Sequence, residues 1–315
     1  MHFKKLILSI TFLLSLSSTQ ATWSSKLGKV MHIAAITNFL GTPLYSIYTD
    51  KVTIDEAKKN LQKAALNPDD HILAEPAVYD YIIKRAQNLN INTQNFVVTM
   101  DVSNQLNAQV KSFEIDGQRH IQIDLGSIIH NQLHDNIANQ AVNESSIIVE
   151  HELIHAKEDH VNKGNNLEFA RAIGAPLFFY ALGYKNFKIA ATDAFFKSFK
   201  KGVKINVLGT LSNASMLLIN AYRRNYETEA DLQAIKNINH LESTKEFKKA
   251  LIKMHNYEAM DLTYKLGKSP DDEKALEEAY KILEYTKLFR VHPSPKDREA
   301  YIDKAIQELE APKSK

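Results

Sequence analysis

The sequence has no cysteine, little glycine or proline, and almost no net charge. The absence of cysteine excludes disulfides, thiolate zinc sites, a cysteine nucleophile and lipid attachment to an N-terminal cysteine, so a metal could be bound only through nitrogen and oxygen atoms. Ten glycines and eight prolines among 315 residues exclude collagen-like and linker-rich architectures. A formal net charge of +2 gives no electrostatic reason to expect nucleic acid as a partner.

The composition is otherwise that of a soluble globular protein. Hydrophobic residues make up 44% of the chain and charged residues 24%, so a sizeable core can form. At roughly 150 residues per domain, the length indicates about two domains or one elaborated domain.

The first 21 residues have the pattern of an export signal. Lys4 and Lys5 precede an apolar run from Leu6 to Leu16, and Thr19-Gln20-Ala21 is a small-x-small cleavage site. The apolar run is too short to span a bilayer. We therefore predict an exported protein of a bacterial periplasm. Secretion, or anchoring by an uncleaved N-terminal segment, stays open as an alternative.

Two helices are predicted after the signal peptide. Thr53-Ile54-Asp55-Glu56 has the spacing of a capping box, which places a helix start near Thr53. A second helix is predicted from about Pro76 to about Asn88. The sequence thus divides into a signal peptide at residues 1–21, an N-terminal helical segment at residues 22–90 and a main domain at residues 91–315.

A small sheet is predicted in the middle of the chain. Residues 96–100 have the pattern of a strand, and residues 112–115 and 120–123 flank Asp116-Gly117, a pair that favours a two-residue hairpin turn. From about residue 127 to residue 309 the pattern is almost wholly helical. We therefore predict an α+β fold that is mostly α-helical, with a small antiparallel hairpin or sheet.

One long apolar stretch, Ile205 to Tyr222, resembles a membrane span. Asparagines and serines interrupt it at positions 206, 212, 213, 215 and 220, and these residues are costly in hydrocarbon. We therefore predict a buried helix. A segment that re-enters or lies against a membrane stays open as the alternative.

The strongest chemical signal is His151-Glu152-Leu153-Ile154-His155, within a run of helical apolar positions. Residues four apart share one face of a helix, so both imidazoles can bind one zinc ion. Zinc activates a water molecule, and Glu152 can take its proton as that water attacks a carbonyl group. The alternative is a pair of surface histidines on an ordinary helix.

A catalytic zinc site of this kind needs a third protein ligand. Glu227 and Asp231 are four residues apart and therefore share a helix face, on which Glu227 can bind zinc while Asp231 accepts the free N–H of a ligating histidine. Arg224 lies on the same face and can orient the carboxylates. A solvated acidic face is the alternative.

Other third ligands fit less well. Metzincins place a glycine and a third histidine after the motif, but this chain has Glu158 and Val161 at those positions and so lacks the metzincin pattern. Glu158, Asp159 and Glu168 are rival ligands by proximity in sequence, but none has a matching partner one helical turn away.

The chain resembles the HtpX and CAAX-prenyl-protease family of zinc peptidases, metallopeptidase family 48, and in particular its soluble periplasmic members. The matching segments are Asn107-Ala108, the helix from Ile147 to His160, Arg224 with Glu227, Ala230 and Asp231, and His292-Pro293 followed by Arg298. The chain departs from the family in its sparse glycines and in a long apolar insert between His160 and Arg224.

This resemblance implies a zincin-like fold of the gluzincin type, with the sheet beside the active-site helix. It implies an endopeptidase for exported proteins that are misfolded or unassembled, with zinc bound by His151, His155 and Glu227. It also implies that a strand of the hairpin, residues 113–123, pairs with an extended substrate. A hairpin that merely covers the core is the alternative.

The His292-Pro293 segment has two interpretations. Pro293 indicates a turn and Ser294 can cap the next helix, so His292 can be a simple helix-start residue. Alternatively, His292 reaches the open zinc position or stabilises the oxyanion as part of a lid, with Arg298 nearby.

Two functions of other classes remain open. In the first, the protein is a periplasmic chaperone or assembly factor with a latent or structural zinc site, and residues 170–222 bind client proteins. In the second, it associates peripherally with a membrane through Ile205 to Tyr222.

Overall fold

The structure is a computed structural model, and it divides the chain into two compact units. The first, here the insert unit, comprises residues 1–55 and 166–219; the second, here the sheet unit, comprises residues 56–165 and 220–315. The residues that the structure describes are 30, 32–37, 39, 59, 73–101, 108–187, 195–287 and 290–311.

The described elements follow one another as a mostly helical chain with a small sheet near its start. In order they are α1 Pro76–Asn88, β1 Phe96–Asp101, β2 Ala108–Ile115, β3 Gln118–Gly126, α2 Ser127–Asn139, α3 Glu144–Lys157, α4 His160–Phe187, α5 Phe195–Ala214, α6 Met216–Ile238, α7 Leu241–Lys265, α8 Glu273–Tyr285 and α9 Pro295–Glu310. The predicted fold class is confirmed. The boundaries between the two units fall inside α4 and α6.

The sheet has the strand order β1-β3-β2. β2 and β3 form the predicted hairpin, and its turn residues Asp116 and Gly117 have φ of 51° and 75°. Both values are positive, as a two-residue turn of this type requires, and this is why an Asp-Gly pair is found there. β1 pairs in parallel with β3, so the sheet is mixed and not purely antiparallel.

The helix α3 carries the His-Glu-x-x-His motif and is the most deeply buried helix of the sheet unit. The side chain of Asn143 caps it by accepting a hydrogen bond from the Ser145 N–H at 2.9 Å. Its apolar residues Ile147, Leu153 and Ile154 are fully buried, and α3 packs against β2, α7, α1 and α2. The motif is thus held in the core, which excludes the interpretation as two surface histidines.

The helix α1 begins at Pro76 and ends at Asn88, as predicted. Its residues Val78, Ile82 and Ala86, four apart, form the buried stripe that packs into the same core as the sheet. The domain division predicted at residue 90 stays a prediction, although α1 lies before that boundary and shares the core of the elements after it. The helix predicted near Thr53 and the signal peptide at residues 1–21 lie outside the described residues.

The insert unit contains most of α4 and the whole of α5. Phe39 of the short N-terminal helical segment packs with Ile205 of α5, and Phe179 of α4 lies against this cluster. The prediction that Ile205 to Tyr222 is a buried helix is wrong. The stretch turns at Ser215 between α5 and α6, and Val207 and Leu211 are among several exposed apolar side chains in it. Apart from Ile205, the inward positions of α5 are small residues, so burying that face leaves the other large apolar side chains of the helix outside.

A buried ion pair joins α1, α3 and α6 beneath the motif. Glu150, 1% exposed, accepts hydrogen bonds from Arg85 at 2.9 and 2.7 Å and from Asn237 Nδ2 at 2.8 Å. A carboxylate so far from water needs all these donors, because an unpaired buried charge is strongly destabilising. Arg85 therefore fixes how α3 lies in the core.

Replacement of Arg85 tests this role. We expect Arg85→Met to lower the free energy of unfolding by about 2–4 kcal/mol, because it leaves Glu150 without its cation. Lys84→Met, at the exposed neighbouring position, is the control and should change it by less than about 0.5 kcal/mol. Urea denaturation followed by circular dichroism measures both. Equal effects of the two substitutions would contradict a structural role for the pair.

Candidate metal centre

Three side chains from two helices converge in the sheet unit. His151 and His155 come from α3 and Glu227 from α6, and all three residues are buried or nearly so, with one ligand atom of each within 4.8 Å of the others. In α3 the two histidines are one helical turn apart, so their rings project from one face toward α6. This is the only such group of three or more potential ligands among the described residues.

The distances within this cluster fit a metal ion. His151 Nε2 and His155 Nε2 are 3.0 Å apart, and Glu227 carboxylate oxygens lie 3.7 Å from the first and 3.3 Å from the second. Ligands about 2.0–2.1 Å from a tetrahedral metal are separated by roughly 3.3 Å. Two imidazole nitrogens that point into the same space stabilise each other little, whereas a cation bound to both would stabilise this arrangement. The cluster is therefore suited to hold a metal.

Asp231 supports the cluster from one turn further along α6. Its Oδ1 lies 2.8 Å from His151 Nδ1, the ring nitrogen that faces away from Glu227. This contact sets which nitrogen of His151 carries the proton and directs the other toward the cluster.

Asp231 is itself held by α9. Arg298 donates from Nε and Nη2 to the two Asp231 oxygens at 2.9 and 2.7 Å, and the Tyr301 hydroxyl also donates to this carboxylate. Burial raises the pKa of Asp231, but Arg298 and then His151 outweigh it, so this pKa lies well below its ordinary value. Burial lowers the pKa of Arg298, but Asp231 outweighs this and raises it above the ordinary value. Asp231 thus remains ionised although fully buried.

Glu227 also has a depressed pKa. Burial opposes its ionisation, but hydrogen bonds with His155 and His292 outweigh burial and hold its pKa well below the ordinary value. His292 Nδ1 lies 2.8 Å from Glu227 Oε2, and this contact raises the pKa of His292. The structure thus brings the His292-Pro293 segment to the cluster, while Ser294 caps α9 by accepting from the Asp297 N–H.

Glu152 lies beside the cluster and contacts the sheet. One of its oxygens accepts a hydrogen bond from the Val110 N–H of β2 at 2.8 Å, and the other lies 3.9 Å from His151 Nε2. Burial raises the pKa of Glu152 to about 7. A carboxyl group with a pKa near neutrality can both accept and return a proton.

His155 of the cluster contacts His160, which in turn contacts Tyr226 and Glu229. His160 Nδ1 lies 3.2 Å from His155 Nδ1, and the His160 ring stacks on Tyr226 with 4.4 Å between ring centroids. On its other side, His160 Nε2 lies 3.6 Å from a Glu229 carboxylate oxygen. Burial, and then the neighbouring His155, lowers the pKa of His160 to about 4, so this ring is neutral at pH 7. A neutral His160 ring can accept a hydrogen bond from the His155 Nδ1–H and so orient the His155 ring.

Arg224 was predicted to orient the carboxylates of α6, and the structure shows it bound to main chain. Its Nη1 donates to the carbonyl oxygens of Lys287 and Arg290 at 3.3 and 2.9 Å. Arg224 thereby attaches the segment that leads to His292. This attachment joins two segments more than sixty residues apart, and no local pattern in the sequence indicates it.

The three rival ligands form ion pairs with other side chains. Asp159 Oδ1 is 2.8 Å from Arg119, Glu168 pairs with Arg171, and Glu158 is 3.5 Å from Lys157. None of the three rivals belongs to the cluster of potential ligands found in the described residues.

An open cleft exposes the cluster to substrate. One side is the start of β2, residues 108–110, whose main chain lies along the cleft beside Glu152. The apolar part of the lining comes from α3, α4 and α7: Ile148, Val161, Phe247, Leu251 and Met254. His292 and Arg298 also line the cleft. Helix α7 was not assigned to the site from the sequence, because a helical pattern alone does not show which side chains line a cleft.

The comparison with protein families agrees with this geometry. A model of peptidase family M48 matches residues 74–306, well over half of the chain. The peptidases of this family are metal-dependent and have a zincin-like fold. No curated protein and no solved structure matches the chain.

Asp231 provides a test of how the cluster is held. We expect Asp231→Asn to weaken metal binding about 10- to 100-fold, because the single neutral amide oxygen of asparagine is a weaker acceptor for His151 than the carboxylate and is also contested by Arg298. Asp135→Asn on α2, whose carboxylate is exposed, is the control and should leave the affinity unchanged. Competition with a chromophoric chelator measures the affinity, and circular dichroism verifies that each variant is folded. An affinity equal to wild type in folded Asp231→Asn would contradict the assigned role.

Proposed function

The chain belongs to peptidase family M48, and we propose that it is a zinc-dependent endopeptidase of the cell envelope that cleaves exported proteins. The observation that carries the proposal is the buried cluster of His151, His155 and Glu227 with the Glu152 carboxylate beside it and an open cleft in front. Two imidazoles and one carboxylate form the ligand set of catalytic zinc sites that keep a position open for substrate or water.

The residues of the cluster have separate tasks in this proposal. His151, His155 and Glu227 would hold the zinc ion. When bound, zinc polarises the scissile carbonyl and activates water for attack. Glu152 takes the proton of the attacking water and then delivers it to the amine of the leaving product, which is why a pKa near neutrality suits it.

The edge strand β2 is proposed to bind the substrate main chain. Val110 directs its N–H away from β3 and toward Glu152. Alternate residues of an antiparallel strand direct their main-chain groups to the same side, so Ser112 and Glu114 do so as well. An extended peptide could therefore pair with this edge and cross the cleft beside the cluster. Such pairing requires an unfolded segment but little side-chain specificity, which suits misfolded or unassembled proteins as substrates.

The segment around His292 is proposed to act at the mouth of the site. Its hydrogen bond with Glu227 places the imidazole within reach of the atoms that would contact substrate. In that position His292 can stabilise the developing oxyanion as part of a lid. Arg298, by contrast, is engaged with Asp231 and supports the cluster from behind.

Three variants test the peptidase proposal. We expect Glu152→Gln to keep about one zinc ion per chain and to lower the rate of casein cleavage at least about 100-fold, because the proton acceptor is lost. Glu227→Ala should lose zinc and cleavage together. Glu158→Gln, six residues after Glu152 and outside the cluster, is the control that should keep both. Metal analysis by mass spectrometry and a gel assay provide the two measurements.

The outcomes separate the peptidase from the chaperone alternative. Undiminished cleavage by Glu152→Gln would contradict the proposed role of this site. If Glu152→Gln lacks cleavage but still restores the phenotype of a deletion strain, the protein acts mainly by holding clients and the zinc site is structural. In this alternative the exposed apolar side chains of the insert unit would be the surface that contacts clients.

Export to the envelope is supported by the pattern of residues 1–21. We expect the protein isolated from its native cells to begin at Thr22, after cleavage behind Ala21. Mass spectrometry of the N-terminal peptide measures this. A chain that begins at Met1 would show that the segment is retained as an anchor.

A further inference from the structure

Helix α5 exposes its large apolar side chains and buries its small residues, the reverse of a typical helix in a soluble protein. Its large apolar side chains face outward: Phe196 is 80% exposed, Val207 54% and Leu211 49%. Phe199 and Val203 complete this outward stripe at helical spacing. The inward positions are mostly small, and they are Ser198, Gly202, Ile205, Gly209 and Ser212. A soluble helix normally has the opposite arrangement, with its large apolar residues inside.

The part of α4 in the insert unit has the same arrangement. Its exposed side chains include Phe169, Ile173, Leu177, Phe178 and Leu182. Its buried positions are again mostly small or compact, and they are Glu168, Ala172, Pro176 and Gly183. Small residues between helices with apolar residues outside are typical of helices surrounded by lipid, where backbones approach closely and side chains face hydrocarbon.

The high hydropathy and the low burial of this helical stretch together distinguish it from a core helix. The helical stretch from Phe196 to Ile238 contains an 18-residue window with a mean hydropathy of 1.2, enough by length and composition to cross a membrane. Only 29% of that window is buried. A core helix with this composition would be mostly buried, whereas here the apolar surface is left open.

The positive charge of the insert unit indicates what kind of partner its apolar surface would bind. Residues 166–219 contain seven basic and two acidic side chains, whereas the whole chain has a net charge of only +2. Of the acidic residues, Glu168 is buried and paired with Arg171. Lys197, Lys200 and Lys204 are exposed next to the apolar stripe of α5. Aromatic and aliphatic residues flanked by lysines match the interface of a bilayer that contains anionic phospholipids.

We propose that α4 and α5 of the insert unit form a membrane-docking surface for bilayers that contain anionic phospholipids. The apolar stripes enter the acyl region, and the flanking lysines extend their ammonium groups to the lipid phosphates. A purely apolar client protein would not match the charges of Lys200 and Lys204, and a nucleic acid would not match the apolar stripes. The proposal concerns where the protein resides and does not rest on its peptidase activity.

The absence of cysteine makes a site-specific test direct, because any introduced cysteine is the only thiol in the chain. Val207→Cys and Leu211→Cys, each labelled with an environment-sensitive fluorophore in the full-length protein, report on the surface itself. Tyr264→Cys and Tyr285→Cys, exposed positions in the sheet unit, are the matched controls. Vesicles of phosphatidylethanolamine with phosphatidylglycerol are compared with vesicles of phosphatidylcholine alone.

We expect the phosphatidylglycerol vesicles to raise emission at positions 207 and 211 at least about twofold, with quenching by spin-labelled lipid, and to leave the controls unchanged. Lys200→Glu combined with Lys204→Glu should weaken this binding about tenfold, and salt should weaken it in the unaltered chain. Lys265→Glu, exposed on α7, is the charge control and should have no effect.

Four results would overturn the proposal. Positions 207 and 211 would show no response to either vesicle, or the sheet-unit controls would respond equally. Alternatively, emission at 207 and 211 would rise with protein concentration in the absence of lipid, which would identify the surface as an interface between copies of this chain. A response that is equal on both kinds of vesicle would remove the role assigned to the lysines and to anionic lipid.

Discussion

Glu227 and Asp231 place two carboxylates one helical turn apart in the interior, and the arrangement of the sheet unit follows from the need to neutralise them. A buried carboxylate without a partner destabilises the folded state by about 3–5 kcal/mol. Asp231 obtains Arg298 and the Tyr301 hydroxyl from α9, while Glu227 faces the imidazoles. The two carboxylates therefore have distinct environments, and only Glu227 keeps its oxygens directed at an accessible cleft. A bound cation would complete the balance of charge on that side.

The motif helix α3 also carries a buried carboxylate of its own, Glu150, which is directed toward α1 and α6. Glu150 is tied to Arg85 and Asn237, and Glu152, two residues later, is tied to the β2 main chain. The motif helix is thus fixed by polar contacts on two sides as well as by apolar packing. Rigid placement matters here because a metal tolerates only small errors in the positions of its ligands. The contacts that stabilise the core around α3 are therefore also the contacts that position its metal ligands.

Local patterns allowed much of this to be predicted. The helical spacing of His151 and His155, and of Glu227 and Asp231, placed each pair on one face, and the Asp-Gly pair placed the hairpin turn. Contacts between distant segments could not be predicted, since no local pattern fixes which partner a side chain meets. The parallel pairing of β1 and the Tyr301 contact with Asp231 belong to this class. The apolar stretch after Ile205 was misassigned because hydropathy measures composition, whereas burial depends on which face a helix turns to its neighbours.

The contribution of α9 to Asp231 also bears on how the protein is made. During translation both ligand-bearing helices leave the ribosome before α9 does. Until Arg298 arrives, Asp231 would have to be buried without its cation, so closure of the centre waits for a segment synthesised later. A nascent chain that lacks α9 has no cation for the buried Asp231, so its metal cluster stays incomplete until residue 298 has been synthesised.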